Sequence, residues 1–539
     1  MASVLLPLLV SALAMLTTLS IMALAGMALT TITQIMPSFL LAVGVGSSVH
    51  ILVIFYQAIA RGDEKAEAIS YALSHSGLAV VMTSLTTAGG MASFASASIA
   101  PVRDFGIITP VGILAALIFS LVLTPALLSV LPMRAIGGDA HDGDSATRRS
   151  LARWGDLAVR HPWKMVAVWA LVLMQAAVGI TKVEFSHDPI SWFQPSDPLR
   201  VAMTKMNDEL KGVAFIDAVV DTGREDGVRT PELMNRLAEM HAFADSVRLD
   251  RIYIGKTISV LDVVRETHQA LNENRPDFYA IPQDPALLSQ ELLLFENSGA
   301  DDLEILVDSQ FQMARISMKI PLIDAIHYTD FIAELERRYA EILGDEGKVQ
   351  VTGLSRIMME VVHALSDSLI RTYILAFLVI TPLMMLLLGS IRVGLLSMVP
   401  NLAPILITLG IMGWTGIPLE LFTLLIGSVA LGLAVDDTIH FMHNFRRYFE
   451  QDGDEREAVR KTLTTTGQAL LFTSVVLSCG FFIYMAASMR NLFYFGMLTG
   501  ITILLAFLAD LLLAPALMTL VARRARHKRE RVAEATAPG

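Results

Sequence analysis

Apolar residues run in long, nearly unbroken stretches along most of this chain, and polar residues gather between them. Ten stretches are long enough to cross a bilayer as helices, near 3–24, 31–57, 77–99, 105–131, 163–181, 369–390, 393–414, 420–443, 468–488 and 492–521. The first has no early basic residues and no small-residue cleavage site, and another stretch follows at once. It therefore reads as a membrane span and not as a signal peptide. The pattern changes between the fifth and sixth stretches. Short β-like runs appear there: FIDAVVD (215–221), RIYIG (251–255), LEILVD (303–308), ARISMKI (314–320) and KVQVTG (348–353). Helical patterns alternate with them, PELMNRLAEMHAFADSV, DPALLSQELLLFE and IDAIHYTDFIAELERRYAEIL, after the Asp- and Pro-rich start SHDPISWFQPSDPLR. That alternation predicts β-α-β units in a mixed sheet with helices on one face, an α+β ferredoxin-like module. It shows no nucleophile or metal-ligand constellation, so a vestibule or docking role is expected of it.

Composition agrees with the pattern. Of 539 residues, 54% are hydrophobic and 17% charged, and the mean hydropathy is +0.56, outside the range of an ordinary soluble protein. The single cysteine, Cys479, lies inside a span and excludes an internal disulfide. Basic residues set the orientation. Arg61, Lys65, the run from Arg134 to Lys164, Arg392, Arg446, Arg447 and the tail RRARHKRER all fall on one side, which is then cytoplasmic. The net charge of -11 arises largely from the segment on the other face.

A shift of 390 residues lays the chain over itself without a gap. LAVGVGSSVHILVIF at 41–55 falls on LGLAVDDTIHFMHNF at 431–445, and TPALLSV falls on APALMTL. His50 matches His440, Thr83 and Ser84 match Thr473 and Ser474, Gly106 matches Gly496, and Pro125 matches Pro515. The expected fold is a membrane all-α bundle of about ten helices in two pseudo-symmetric repeats, with one extracytoplasmic α+β domain. Its divisions are a first bundle at 1–131, a cytoplasmic linker at 132–162, a helix at 163–182, the extracytoplasmic domain at 183–366, a second bundle at 367–522 and a basic tail at 523–539. Duplicated bundles with sites near the midplane are a common plan of secondary transporters.

The chemistry gathers in LGLAVDDTIHF, residues 431–441. A carboxylate at mid-span costs roughly +2.5 to +3.5 kcal/mol on insertion scales, and here two stand side by side. Adjacent carboxylates disfavour double ionisation, so one holds a proton readily. On a helix His440 lies four residues from Asp436 and three from Asp437, on the same general face. Asp510 in the last span is the other mid-span acid. Asp436, Asp437, His440 and Asp510 are therefore the candidate proton relay, with Thr473, Ser474, Ser47 and His50 as supporting polar groups. No metal, cofactor or catalytic group is expected; a proton gradient is the energy source. The alternative for such groups is a structural cluster satisfied by its neighbours. The Thr and Ser runs read as helix packing, GDEKAEAISYAL and DGDEREAVRKTL as short interfacial helices, and the basic tail as a topology signal or lipid contact and not a nucleic-acid site.

GLAVDDTIHFMHNF, TTTGQALLFTSVVLSCGF and FGMLTGITILLAFLADLLLAPAL together resemble the resistance-nodulation-division (RND) superfamily, in its MMPL-type and hopanoid-exporter-like branch, relatives of Patched and the sterol-sensing domain. The resemblance implies a porter-like domain at 183–366, a sterol-sensing-domain-like second bundle, and Asp436 and Asp437 as proton carriers. It also implies a cell inner membrane protein that exports a hydrophobic or lipidic substrate, with membrane lipid and other envelope transport components as partners. Two departures stand out. The acid positions are Gly46 and Ser47 in the first repeat, and a helix, a first periplasmic domain and a second helix of the family pattern have no counterpart, so a fragment or a late-start gene model is expected, the alternative being a separate polypeptide that supplies the missing N-terminal half as a partner. The runners-up are a non-transporting sterol-sensing scaffold and an intramembrane aspartyl protease. The protease is disfavoured because PAL recurs at 125–127 and 515–517 as scaffold and no Gly-x-Gly-Asp motif is present.

Overall fold

The computed structural model describes residues 2–131, 146–249, 251–298 and 303–524. The Arg134 part of the linker and the basic tail beyond Arg524 lie outside them. The chain forms two compact units, Phe185–Ala364 and the remainder on either side of it.

The larger unit is helical. Ten helices among the described residues are long and apolar enough to cross a membrane: Leu5–Leu24, Thr33–Ala60, Lys65–Ser96, Ala100–Val130, Pro162–Ile180, Leu354–Leu388, Ile391–Thr415, Leu421–Asp452, Gly467–Ala486 and Arg490–Arg524, here spans 1 to 10. Span 8 is the most enclosed, with 94% of its apolar window buried. Several helices outrun their apolar stretches. GDEKAEAISYAL is no separate interfacial helix, because its amphipathic pattern runs into span 3 without a breaker. The matching segment is a helix of its own, Glu455–Thr465, followed at Thr466 by the start of span 9. Against it packs a helix within the linker, Ala146–Arg160, where Arg456 pairs with Asp156 at 3.0 Å.

Irregularities recur at the 390-residue offset. The 3-10 turns Ser93–Ser96 and Ile483–Ala486 precede the helices Ala100–Ile118 and Arg490–Leu508, and these lead into π-turns at Phe119–Leu123 and Ala509–Leu513. Prolines 125 and 515 explain the wide turns. Each lacks an N–H for the carbonyl four residues back and its ring crowds that carbonyl, so the helix opens by one residue before it. Gly106 and Gly496 lie against the two 3-10 turns. A Cβ would come within 2.3 Å of the Ala95 nitrogen in the first case and 2.5 Å of the Phe481 carbonyl oxygen in the second.

In the other unit, six strands are β1 (Ala214–Asp221), β2 (Arg248–Leu249), β3 (Ile252–Tyr253), β4 (Lys256–Ile258), β5 (Met313–Ile320) and β6 (Lys348–Thr352). The main sheet runs β4-β5-β1-β6, and β2 and β3 form a separate hairpin. Every neighbouring pair is antiparallel, so the sheet is not mixed. The reason is that each crossover skips a place: β1 returns as β4 with β5 between them, and β5 returns as β6 with β1 between them. Ile216, Ala218 and Val220 alternate toward the core with Ile316 and Met318, under Leu237, Phe331, Leu335 and Tyr339. LEILVD does not form a strand. Asp308 accepts from the backbone N–H groups of Gln312 and Met313 and turns the chain, leaving Val307 a single bridge to Ala314. Helix Val260–Leu271 was not expected, although a capping box of Ser259 and Asp262 starts it.

Candidate proton site between the repeats

Span 8 carries the acids because its flanks let it sit at the centre. Gly432 permits close approach to span 3, where Thr87 donates to the Gly432 carbonyl at 2.8 Å. One helical step separates Asp436 from Asp437 by about 100° around the axis, and they turn to different neighbours. Asp437 is 5% exposed. It accepts from Ser474 at 2.6 Å and from Thr473 at 3.3 Å, both on span 9. Asp436 is partly exposed and faces the first repeat, in a narrow cleft lined by Gly46, Ser47, Thr83, Ser84 and Thr87. The pair does not share one set of partners.

Asp510, at the second position of the π-turn in span 10, is buried. Its Oδ1 lies 2.7 Å from Thr438 Oγ1, and Thr438 Oγ1 lies 2.8 Å from Asn401 Oδ1 on span 7. Asn401 in turn donates through Nδ2 to the Ser397 carbonyl at 2.8 Å. Sequence reasoning missed Thr438 and Asn401. The signal was available: Thr438 is one residue past the acid pair, and Asn401 stands in the apolar run VPNLAPIL.

The first repeat keeps this layout in neutral form. Ser48 and Ser120 stand where Thr438 and Asp510 stand in the second repeat, and their hydroxyls are 3.2 Å apart. Among the described residues Ser47 bonds its own helix, at the Val43 carbonyl. Ser84, the counterpart of Ser474, is buried without a hydrogen-bond partner among the described residues.

The two repeats meet through equivalent residues. His50 and His440 stack with ring centroids 3.8 Å apart and planes 10° from parallel. Gln57 reaches the Thr465 carbonyl at 3.5 Å, and at the matching positions Arg447 reaches His75 at 2.8 Å. Such exchange of partners is the mark of an isologous, two-fold interface. His440 makes no hydrogen bond to the acids, and its Nε2 comes no nearer to Asp436 than 3.6 Å.

Comparison with known proteins agrees with this architecture. Residues 328–536 match the model of the MMPL family, and residues 1–130 match the Patched SSD model. The two matches together support a likeness to RND/MMPL-type transporters. The likeness to Patched falls on the first bundle, while the second lies within the MMPL match. Among curated relatives, the chain is 23% identical over 291 residues to the apo-petrobactin exporter of Bacillus anthracis, covering 50% of this chain and 38% of that protein. It is 23% identical over 184 residues to the mycolic acid-containing lipids exporter MmpL11 of Mycolicibacterium smegmatis, covering 33% and 19%. A membrane protein of Methanocaldococcus jannaschii is 28% identical over 130 residues, covering 24% and 34%. The chain thus spans less than two fifths of the length of these relatives.

Proposed function

We propose that this protein is a proton-driven membrane transporter that moves a hydrophobic or lipidic substrate outward across the cell inner membrane. The relative named as a mycolic acid-containing lipids exporter supports the substrate class, both exporter names support outward movement, and the buried acids of spans 8 and 10 support the energy source. In this reading the antiparallel domain is a porter-like, ferredoxin-like module through which substrate passes, and the protein is not an enzyme.

The hydrogen-bond count at Thr438 carries the proton part. Its hydroxyl has one hydrogen but sits at bonding distance from two oxygens. The Asn401 amide cannot turn to supply another, because its Nδ2 is committed to the Ser397 carbonyl. Both contacts are satisfied when Asp510 is a carboxylic acid that donates to Thr438, and Thr438 donates to Asn401. Asp437 accepts from Ser474 at 2.6 Å, while the one hydrogen of Thr473 is contested by the Ala469 and Leu470 carbonyls at 3.0 and 2.9 Å, so this acid is placed as an acceptor. One acid arranged as a donor and one as an acceptor, both in span 8 contacts, is an arrangement that can pass a proton. Each proton falling through about 100 mV supplies about 2.3 kcal/mol, enough for a substrate ratio of roughly 50.

The test uses proteoliposomes with the dye pyranine inside and a fluorescent phosphatidylethanolamine as the lipid probe. An imposed pH gradient drives probe movement and proton flux in the parent protein, and Asp437→Asn and Asp510→Asn abolish both while the protein still inserts. Gradient-driven movement undiminished in the double asparagine variant overturns the reading and leaves a scaffold of sterol-sensing type.

A further inference from the structure

Three buried polar atoms converge where the repeats meet: His50 Nε2, His440 Nε2 and Asp436 Oδ1. None has a hydrogen-bond partner among the described residues. Both rings are more than nine-tenths buried, and donor atoms of all three side chains lie within 4.8 Å of one another. Buried polar atoms left without partners call for an occupant. Two imidazoles and a carboxylate are also a transition-metal donor set. However, rings 10° from parallel at 3.8 Å send their in-plane lone pairs side by side and not to one point. The occupant that fits between these atoms with only a small movement of the rings is a proton.

We propose that His50 and His440 form a one-proton site shared by the two repeats, through which protonation changes how closely they pack. The proposal rests on the proton-driven reading and assigns the acid-free repeat a part in it. Two cations at this separation, away from bulk water, repel strongly, so the stack takes one proton and not two. Loading puts the proton on an imidazole Nε2 lone pair and converts that ring to imidazolium. The nearest anion is Asp436, 3.6 Å from His440 Nε2 on the same helix. A charge-assisted bond closes to under about 3 Å, which draws His440 toward Asp436 and slides it off His50. Passing the proton to Asp436 Oδ1 leaves neutral imidazole and carboxylic acid, and the stack re-forms.

The charged and titratable groups around the pair are few. Span 8 brings Asp436, Asp437, His443 and Arg447, and span 3 brings His75. Among the described residues span 2 brings no other acid, histidine or basic side chain, and span 9 carries hydroxyls, the Gln468 amide and the exposed thiol of Cys479 besides apolar groups. Around the stack toward the Arg-rich end, a second cleft is lined by His75, Ser76, Asn444, Thr465 and Thr466, opposite in direction to the cleft at Asp436. His50 and His440 themselves line this second cleft, one helical turn from the Gly46, Ser47 and Asp436 lining of the first.

The experiment reads the repeats directly. Nitroxide labels are placed at Glu64→Cys and Gln451→Cys, both exposed and one in each repeat, in a Cys479→Ser background. The full chain is held in phosphatidylcholine–phosphatidylglycerol nanodiscs, and label distances are measured by electron–electron resonance at pH 8 and pH 5. The expected result is a shift of about 1–2 Å, the scale of helix displacement at interfaces. His50→Phe with His440→Phe keeps two flat stacked rings without basic nitrogens and should abolish the shift; the Gln pair serves if the Phe pair does not assemble. Asp437→Asn should stop gradient-driven transport yet leave the shift, which separates this proposal from the transport reading. A shift that persists without both histidines overturns the proposal, as does no shift in the parent. A shift that disappears on chelation with EDTA also overturns it, in favour of a metal.

Discussion

Ser120 and Asp510 occupy the second position of matching π-turns, Ser120 3.2 Å from the Ser48 hydroxyl and Asp510 2.7 Å from that of Thr438. The same backbone device thus presents a neutral group in one repeat and an acid in the other. The bundle is a symmetric scaffold with an asymmetric charge, and the consequences can be measured one repeat against the other.

Thr438→Val removes a hydroxyl with little change of shape and leaves two buried polar groups unpaired. A loss of about 1–3 kcal/mol is expected from such groups. Ser48→Ala, its counterpart, breaks one hydroxyl pair in the bundle and should cost about 0.6 kcal/mol. Equilibrium unfolding in mixed micelles compares them; equal losses would contradict the polar chain from Asp510 to Asn401.

Asp437→Asn keeps the size of the side chain and much of its bonding to Ser474 and Thr473. Stability should hold or rise, since a costly buried charge is gone, while gradient-driven proton flux should drop about 100-fold or more. Pyranine fluorescence and thermal melting of one preparation give both numbers.

Gly106→Ala and Gly496→Ala place a methyl group where backbone atoms already stand, within 2.3 and 2.5 Å. Each should destabilise by about 1–3 kcal/mol. Gly480→Ala meets nothing within 4 Å and should be neutral or mildly stabilising. Melting temperatures of the three variants decide the matter.

The β domain should weaken on acidification below neutrality. His241 bonds to the Ser259 hydroxyl at 2.8 Å, and burial holds both His241 and His187 below the ordinary histidine range. Their unfolded-state value is near 6.5, so the unfolded chain binds more protons as pH falls through that value. Stability is then full above about pH 6.5 and declines below it. Hydrogen exchange of helix Val260–Leu271 at pH 7.5 and pH 5.5 reads the effect, and His241→Gln should reduce it.

The ten spans and the duplication are legible because bilayer thickness and a gapless offset are strong constraints on sequence. The acids are legible for the same reason: charge in an apolar run is costly and therefore conspicuous. What escaped notice was neutral. Thr438 and Asn401 look like packing residues until their oxygens are seen to meet Asp510, and the 390-residue alignment placed His50 over His440 without showing that they touch. LEILVD has the composition of a strand, but Asp308 spends its carboxylate on two backbone N–H groups and ends the run. The split crossovers depend on which strand pairs with which, information that a local pattern does not hold.

A π-turn widens a helix by one residue, and Phe119–Leu123 and Ala509–Leu513 do so at the same place in both halves, each ahead of its proline. The same opening holds a hydroxyl in one half and a carboxylate in the other. Whatever separates the halves chemically at this place is therefore a matter of one side chain and not of the helix that carries it.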